Sequence, residues 1–259
     1  MIDIERRGII LKRLEEQHIV KVSDLSKELF IGEATIRRDL AKLEKAGYLK
    51  RIYGGAVHRD KIDRELPADV RRYENTEKKQ AIASYASELI SDNQIISIDS
   101  STTCFFLAEV IKEYQNLTIL THSQPLIKEL QYSSANLYCS GGLLSKHTFS
   151  YGGEFARNFF SSFYADLSFI SCKGISIIHG ITLAYDEEAS LRKIMLQHSN
   201  KRILLCDSTK FDKISTSRLF GFELIDILVT DTKPSQEWIT YLQSENVQLI
   251  CPGNIPTLP

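Results

Sequence analysis

The stretch Gly32-Glu33-Ala34-Thr35-Ile36-Arg37-Arg38-Asp39-Leu40-Ala41-Lys42-Leu43-Glu44-Lys45-Ala46-Gly47 sorts apolar from basic residues at helical spacing. At about 100° per residue, Ile36, Leu40 and Leu43 share one face, while Ala34, Arg38, Lys42 and Lys45 point the other way and Thr35 and Arg37 lie on the flanks. Gly32 can cap the start, Glu33 suits the positive end of the helix dipole, and Gly47 can end the helix in a left-handed turn. Taken alone, the segment fits an ordinary amphipathic surface helix equally well. Its neighbours decide.

Upstream, residues 3–17 carry Ile4, Ile10, Leu11 and Leu14 at helical spacing, and Val22 to Phe30 reads as a short helix that Ser23 can cap. Only Ile31 and Gly32 separate that helix from the basic one, which predicts a helix-turn-helix whose last helix can lie in a major groove. Downstream, Tyr48 to Val57 alternates apolar with basic residues and turns on Gly54-Gly55, the pattern of a β-hairpin wing.

Thr35-Ile36-Arg37-Arg38-Asp39-Leu40, followed by Leu43, Gly47 and Gly54-Gly55-Ala56, resembles the winged helix-turn-helix of the DeoR family of bacterial sugar-metabolism repressors. Gly32 departs from that pattern, which has a serine cap there; a glycine cap costs only a few tenths of a kcal/mol. On this resemblance Thr35, Arg37 and Arg38 read bases or adjacent phosphates of double-stranded operator DNA. Lys42 and Lys45 meet or steer toward its backbone, and Arg51 and Tyr53 on the wing touch backbone or minor groove.

Whole-chain properties fit such a protein. A chain of 259 residues, 43% hydrophobic and 25% charged, has room for a small domain and a full α/β domain. Apolar runs fall well short of the ~18 residues needed to cross a bilayer, and the N-terminus lacks signal-peptide features, so a cytoplasmic protein with no membrane partner is expected. The net charge of −1 hides an asymmetry: residues 1–60 hold 13 Lys+Arg against 10 Asp+Glu, and residues 33–59 hold seven against three. So modest a positive charge predicts weak, salt-dependent binding by one copy, and hence a homodimer or homotetramer on repeated half-sites. The cysteines at 104, 139, 172, 206 and 251 have no Cys-x-x-Cys spacing and read as buried free thiols. The six scattered histidines offer no ligand pair, and neither a metal nor a cofactor is expected.

The expected domains are a winged helix-turn-helix over 1–57, a charged linker over 58–74 and an α/β effector-binding and oligomerisation domain over 75–259. A helix over 77–90, which Asn75 or Thr76 can cap, opens the last of these. Strand-like runs start at Ile95, Leu117, Leu137, Leu167, Arg202, Ile225 and Val247 and alternate with helical ones over 103–113, 124–131, 154–162, 187–198 and 235–243. That alternation predicts a mostly parallel sheet covered on both faces.

Ligands bind such sheets outside the carboxyl ends of the strands. Asp99-Ser100-Ser101-Thr102-Thr103 places hydroxyls and N–H groups before a helix, which suits a phosphate but is also ordinary helix-cap chemistry. Thr121, His122 and Ser123, then Gly141 and Gly142, Lys173 and Gly174, and Asp207 to Lys210 follow other strands, offering close backbone approach, sugar-hydroxyl partners and cations. Asp186, Glu187 and Glu188 open the 187–198 helix, where the bland reading is dipole compensation and pairing of Glu188 with Arg192.

These segments, with Tyr151-Gly152, Gly180-Ile181-Thr182 and Thr230-Asp231-Thr232, resemble in order the DeoR-type effector domain, which is similar in fold to ribose-5-phosphate isomerases. The resemblance implies a small-molecule effector, a phosphorylated sugar or related metabolite, held by Asp99, Ser100, Ser101, Thr102, Thr103, Thr121, Gly141, Gly142, Lys173, Asp186, Asp207 and Lys210. Ser100, His122 and Lys173 depart from the family pattern, where a glycine, an asparagine and an acid or amide are usual. The function expected is repression of a carbohydrate-utilisation operon, with no enzyme activity. The alternatives are a sugar-phosphate isomerase carrying an accessory DNA head, against which the paired-Asp motif of isomerases is missing, and a regulator whose pocket is vestigial.

Overall fold

The structure is a computed structural model that describes residues 2–17, 19–58 and 68–254. It divides into two compact units, Met1–Glu74 and Asn75–Pro259.

In the first unit α1 (Asp3–Gln17) leads through a short strand β1 (Ile19–Lys21) into α2 (Val22–Leu29) and α3 (Glu33–Lys45). The apolar faces expected from the spacing form its core: Ile10, Leu11 and Leu14 meet Val22, Leu25 and Leu29, and Ile36, Leu40 and Leu43. Ser23 does not cap α2; the helix already begins at Val22, with Lys21 in the cap position. Phe30 does not continue α2 but turns left-handed (φ 53°) and donates its N–H to Ser26 O. That leaves Phe30, Ile31 and Gly32 as the turn into α3. Gly47 takes φ 85°, and Tyr48 N donates to Leu43 O at 3.0 Å, a left-handed stop for α3.

The wing is β2 (Leu49–Ile52) antiparallel to β3 (Gly55–His58). β1 pairs with the other edge of β3, a strand whose three residues are too few to show an alternating pattern. Within the expected linker, β3 runs on to His58 and α4 (Ala68–Arg71) packs on α1 with Ala68 buried. The rest of that stretch, 59–67, lies outside the described residues.

In the second unit α5 (Thr76–Ser87) precedes β4 (Ile95–Ile98), α6 (Leu107–Ile111), β5 (Thr118–Thr121), α7 (Gln124–Leu130) and β6 (Asn136–Cys139). A hairpin, β7 (Leu143–Ser145) and β8 (Ser150–Gly152), leads to α8 (Glu154–Ser161) and β9 (Ala165–Ser171). Next come β10 (Gly174–Ser176), β11 (Gly180–Leu183), α9 (Asp186–Gln197), β12 (Ser199–Leu205), β13 (Ser217–Phe220), β14 (Ile227–Val229), α10 (Gln236–Ser244) and β15 (Gln248–Ile250). Seven strands form one sheet in the order β15-β14-β12-β9-β4-β5-β6, and every pairing in it is parallel.

Side chains alternate between two cores. Ile119, Phe169 and Ile203 enter one; Leu120, Ile170 and Leu204 enter the other. The expected helix over 103–113 is a 3-10 turn at Cys104–Phe106 followed by the short α6. Asn75 sits at the start of α5 in a left-handed conformation, without a side-chain cap bond. Cys139, on the outer strand of the sheet, is exposed, a departure from the expectation of buried thiols that holds for the other four. The β7–β8 hairpin and a small antiparallel sheet in the order β10-β11-β13 were not foreseen from the sequence.

Candidate DNA-reading helix and effector site

On α3, Arg37, Arg38, Lys42 and Lys45 are exposed, Thr35 is half-buried, and Tyr53 at the wing tip is fully exposed. Arg38 Nε makes a long contact, 3.4 Å, to Ala34 O, whereas Arg37 pairs with Glu33 at 2.6 Å. The wing is tied to the helix: Glu44 accepts Arg51 N at 2.8 Å and Arg51 Nε at 2.7 Å. Beneath α3, Asp39 is buried against Arg6 at 2.5 Å, and Asp3 accepts from both Arg6 and Lys42. Asp39 therefore ties α3 to α1, while Arg37 and Arg38 just before it stay exposed. Sequence spacing missed it, because a lone Asp beside apolar positions carries no sign of its partner.

In the large sheet the chain starts at β4, moves outward through β5 and β6, then returns to β9 and moves outward the other way. The order reverses between β4 and β9, the place where a crevice opens at the carboxyl ends of parallel strands. Asp99 follows β4 there, with Ser101 N (2.8 Å) donating to its Oδ1 and Ser171 N (3.0 Å) and Arg192 Nε (2.5 Å) to its Oδ2. Burial alone would raise the Asp99 carboxyl, but the Arg192 charge and these donors outweigh it and hold the pKa at about 2. Asp99 thus braces the loop from below.

Above it the loop supplies Ser100, Ser101, Thr102 and Thr103. Ser100 Oγ is buried with no hydrogen-bond partner, and Ser101 Oγ accepts Cys104 N. Lys210 Nζ lies 3.1 Å from both Thr103 Oγ1 and Ser171 Oγ and 3.3 Å from Asp207. Burial disfavours its charge, yet Asp207 and nearby sulfurs raise the Lys210 pKa, so a cation is fixed at the reversal point.

A cavity of about 530 Å³ lies between the end of β5, the β7–β8 hairpin and the start of α9. Its wall includes His122, His147, Tyr185, Asp186, Glu187 and Glu188. Glu188 accepts from Arg192 at 3.0 Å, so Asp99, Arg192 and Glu188 form one chain of charge from the serine loop to the cavity wall. His122 packs edge-on to Phe160, its Nδ1 has no hydrogen-bond partner, and burial lowers its pKa to about 4. The imidazole is neutral at pH 7.

Of the residues predicted to hold an effector, Asp99, Ser100 to Thr103, Asp207 and Lys210 are brought together, and Asp186 lines the cavity. Thr121 Oγ1 is engaged with backbone groups, donating to Ile98 O on the neighbouring strand β4 and accepting from Ser123 N. Gly141 and Gly142 have φ of 61° and 106°, and a Cβ on Gly142 would stand 2.5 Å from Gly152 O. Close approach to the hairpin accounts for Gly142, and a left-handed backbone in open space for Gly141. Lys173 is exposed at the edge of the small sheet. Spacing does not mark Thr148, Ser150 and Tyr185, which sit on short strands or loops, and Ser171, though it ends the legible strand β9, shows no sign in the sequence of its partner Lys210.

A helix-turn-helix with a wing, followed by a parallel α/β unit with a polar cluster at its reversal point, defines a DNA-binding regulator with a small-molecule sensor. Residues 6–61 match the DeoR-like helix-turn-helix domain and residues 74–232 the DeoR C-terminal sensor domain, so the chain belongs to the DeoR family of transcriptional regulators.

It is 32% identical over 234 residues to the HTH-type transcriptional regulator GolR of Listeria innocua serovar 6a, covering 90% of this chain and 92% of that one. It is 29% identical over 252 residues to a putative aga operon transcriptional repressor of Escherichia coli O157:H7, covering 96% and 94%. Ribose 5-phosphate isomerase A of Methanocaldococcus jannaschii overlaps 53% of this chain and 55% of its own at 16% identity and a TM-score of 0.38. That overlap is partial and carries no functional weight. No helix among the described residues is long and apolar enough to cross a membrane.

Proposed function

We propose that this protein is a cytoplasmic repressor of a carbohydrate-utilisation operon, acting as a homodimer or homotetramer whose hold on the operator is set by a phosphorylated sugar or related metabolite. The observation that carries the reading is the Lys210 ammonium, set at the sheet's reversal point between the hydroxyls of Thr103 and Ser171. A phosphate beside it meets a fixed cation, the Ser100 hydroxyl and the loop that Asp99 braces. The acidic cavity beyond Arg192 suits sugar hydroxyls, which donate to carboxylates and to a neutral imidazole such as His122. On the head, Thr35, Arg37 and Arg38 read bases or adjacent phosphates, and Lys42, Lys45, Arg51 and Tyr53 meet the backbone.

The carboxylates at the reversal point favour binding over turnover. A base for aldose–ketose isomerisation needs a pKa near the working pH. Burial would raise Asp207, yet Lys210 outweighs it, and both Asp207 and Asp99 stay below the usual carboxylate range.

The test is a thermal-melt series against phosphorylated sugars, each beside its unphosphorylated parent. A ligand at 100 times its Kd adds about 2.7 kcal/mol to the unit it binds. One phosphosugar shifting the melt, without its parent and without being consumed, is the expected result. A panel that shifts nothing removes the sensor reading, and consumption of the sugar revives the enzyme.

A further inference from the structure

β9 and β12 run side by side in parallel with Leu205 opposite Ser171. The next residue on each, Cys206 and Cys172, brings two thiols to the same end of the sheet, with Sγ 3.8 Å from Sγ. No other two of the five cysteines are in sulfur–sulfur contact among the described residues. A hydrophobic core has no need of two adjacent thiols, and these two end the strands that lead into the Lys210 crevice.

We propose that Cys172 and Cys206 are a redox modification site, a dithiol that small peroxides convert reversibly to a disulfide. The two thiols are not equivalent. Cys172 keeps 7% exposure and Cys206 has none, so a water-sized oxidant reaches Cys172 first. The contact with Cys206 and the nearby Lys210 charge favour the thiolate at Cys172, while burial keeps Cys206 protonated.

The Cys172 thiolate attacks one oxygen of the peroxide. A sulfur–oxygen bond forms, the oxygen–oxygen bond breaks, and the leaving hydroxide or alkoxide takes a proton. Cys206 sulfur, giving up its proton, then attacks the Cys172 sulfenic sulfur; the sulfur–sulfur bond forms and water leaves. Overall two thiols lose two electrons and two protons, and one peroxide is reduced to two waters, or to water and an alcohol.

Hydrogen peroxide, added to the reduced full-length protein, is the probe, read by tryptic mapping under non-reducing conditions. Cys172 lies in the peptide Asn158–Lys173 and Cys206 in Ile203–Lys210. The expected product is these two peptides joined, two hydrogens lighter than their sum and separated by dithiothreitol, with circular dichroism of the protein unchanged. In Cys206→Ser the second step is blocked, and dimedone captures the Cys172 sulfenic acid. The proposal is overturned if both peptides stay reduced while the exposed Cys139 oxidises, or if they join only after the fold is lost. The wild-type map decides the matter alone should the Cys206→Ser chain fail to fold.

Discussion

Arg192 Nε sits 2.5 Å from Asp99 Oδ2, two opposite charges buried together where β4 gives way to the serine loop. Removing one partner of such a pair leaves the other as an uncompensated buried charge, which costs about 3–5 kcal/mol. Arg192→Met is therefore expected to lower the unfolding free energy by that order, read as a lower urea midpoint at an unchanged m value. Asp99→Asn with Arg192→Met should recover much of the loss, because the fully buried carboxylate is then not stranded and only Glu188, at the cavity wall, lacks its partner. A double variant as unstable as Arg192→Met, or worse, would show that shape rather than charge holds this corner.

His122 makes stability depend on pH in a separate window. Its folded pKa of about 4 lies below the ordinary 6.5, so the unfolded chain binds the proton more tightly. The contribution is complete above pH 6.5 and is lost as pH falls toward 4, at most about 3 kcal/mol for a shift of this size. Asp99, with a folded pKa near 2, loses its own contribution only below pH 3.8. Urea titrations at pH 7, 6, 5 and 4.5 should show stability falling in the wild type and falling less in His122→Asn. Parallel curves for the two proteins would mean that the imidazole is not buried neutral.

Where a side chain's partner lies a few residues away, the sequence reveals it; where the partner is brought by another element, it does not. Ile36, Leu40 and Leu43 announce α3 because helical spacing is local, and the short apolar-rich runs at Ile95 and Leu167, broken only by serines, announce strands buried on both faces. Glu188 and Arg192, one turn apart, are legible as a pair, but the second partner of Arg192, Asp99, is not. The same holds for Arg6 with Asp39 and for Lys210 with Ser171. β1, β7 and β10, of three residues each, are too short for any period to register.

The cation of α3 proposed to read bases and the one proposed to meet the DNA backbone should separate in DNA binding. On the proposed reading Arg38 reads the major groove, so Arg38→Ala should lose discrimination between operator and random duplex, by about 1–3 kcal/mol per base contact, without lowering stability. Lys45→Ala should weaken both duplexes alike and reduce the slope of log affinity against log salt by about one. Gel-shift titrations on both duplexes at several salt concentrations distinguish the two. If Arg38→Ala keeps full operator preference, the groove-reading assignment fails.

Lys210, rather than Lys173, is the cation fixed at the reversal point of the sheet, and that difference can be measured. A charge-assisted hydrogen bond to a phosphate contributes about 1.5–3 kcal/mol, which corresponds to roughly 10- to 150-fold in affinity. Lys210→Met removes that contact and also strips Asp207 of its partner, so loss of binding alone could reflect a damaged fold. Pairing it with Asp207→Asn removes the stranded charge, and the double variant is the fair test. Against the phosphosugar found by the melt series, the double variant should lose that 10- to 150-fold. Lys173→Met should lose less, and any residual binding of the unphosphorylated parent should change little in either. Equal losses for the phosphosugar and its parent would mean that Lys210 shapes the crevice without meeting the phosphate, and a larger loss from Lys173→Met would move the phosphate to the small sheet.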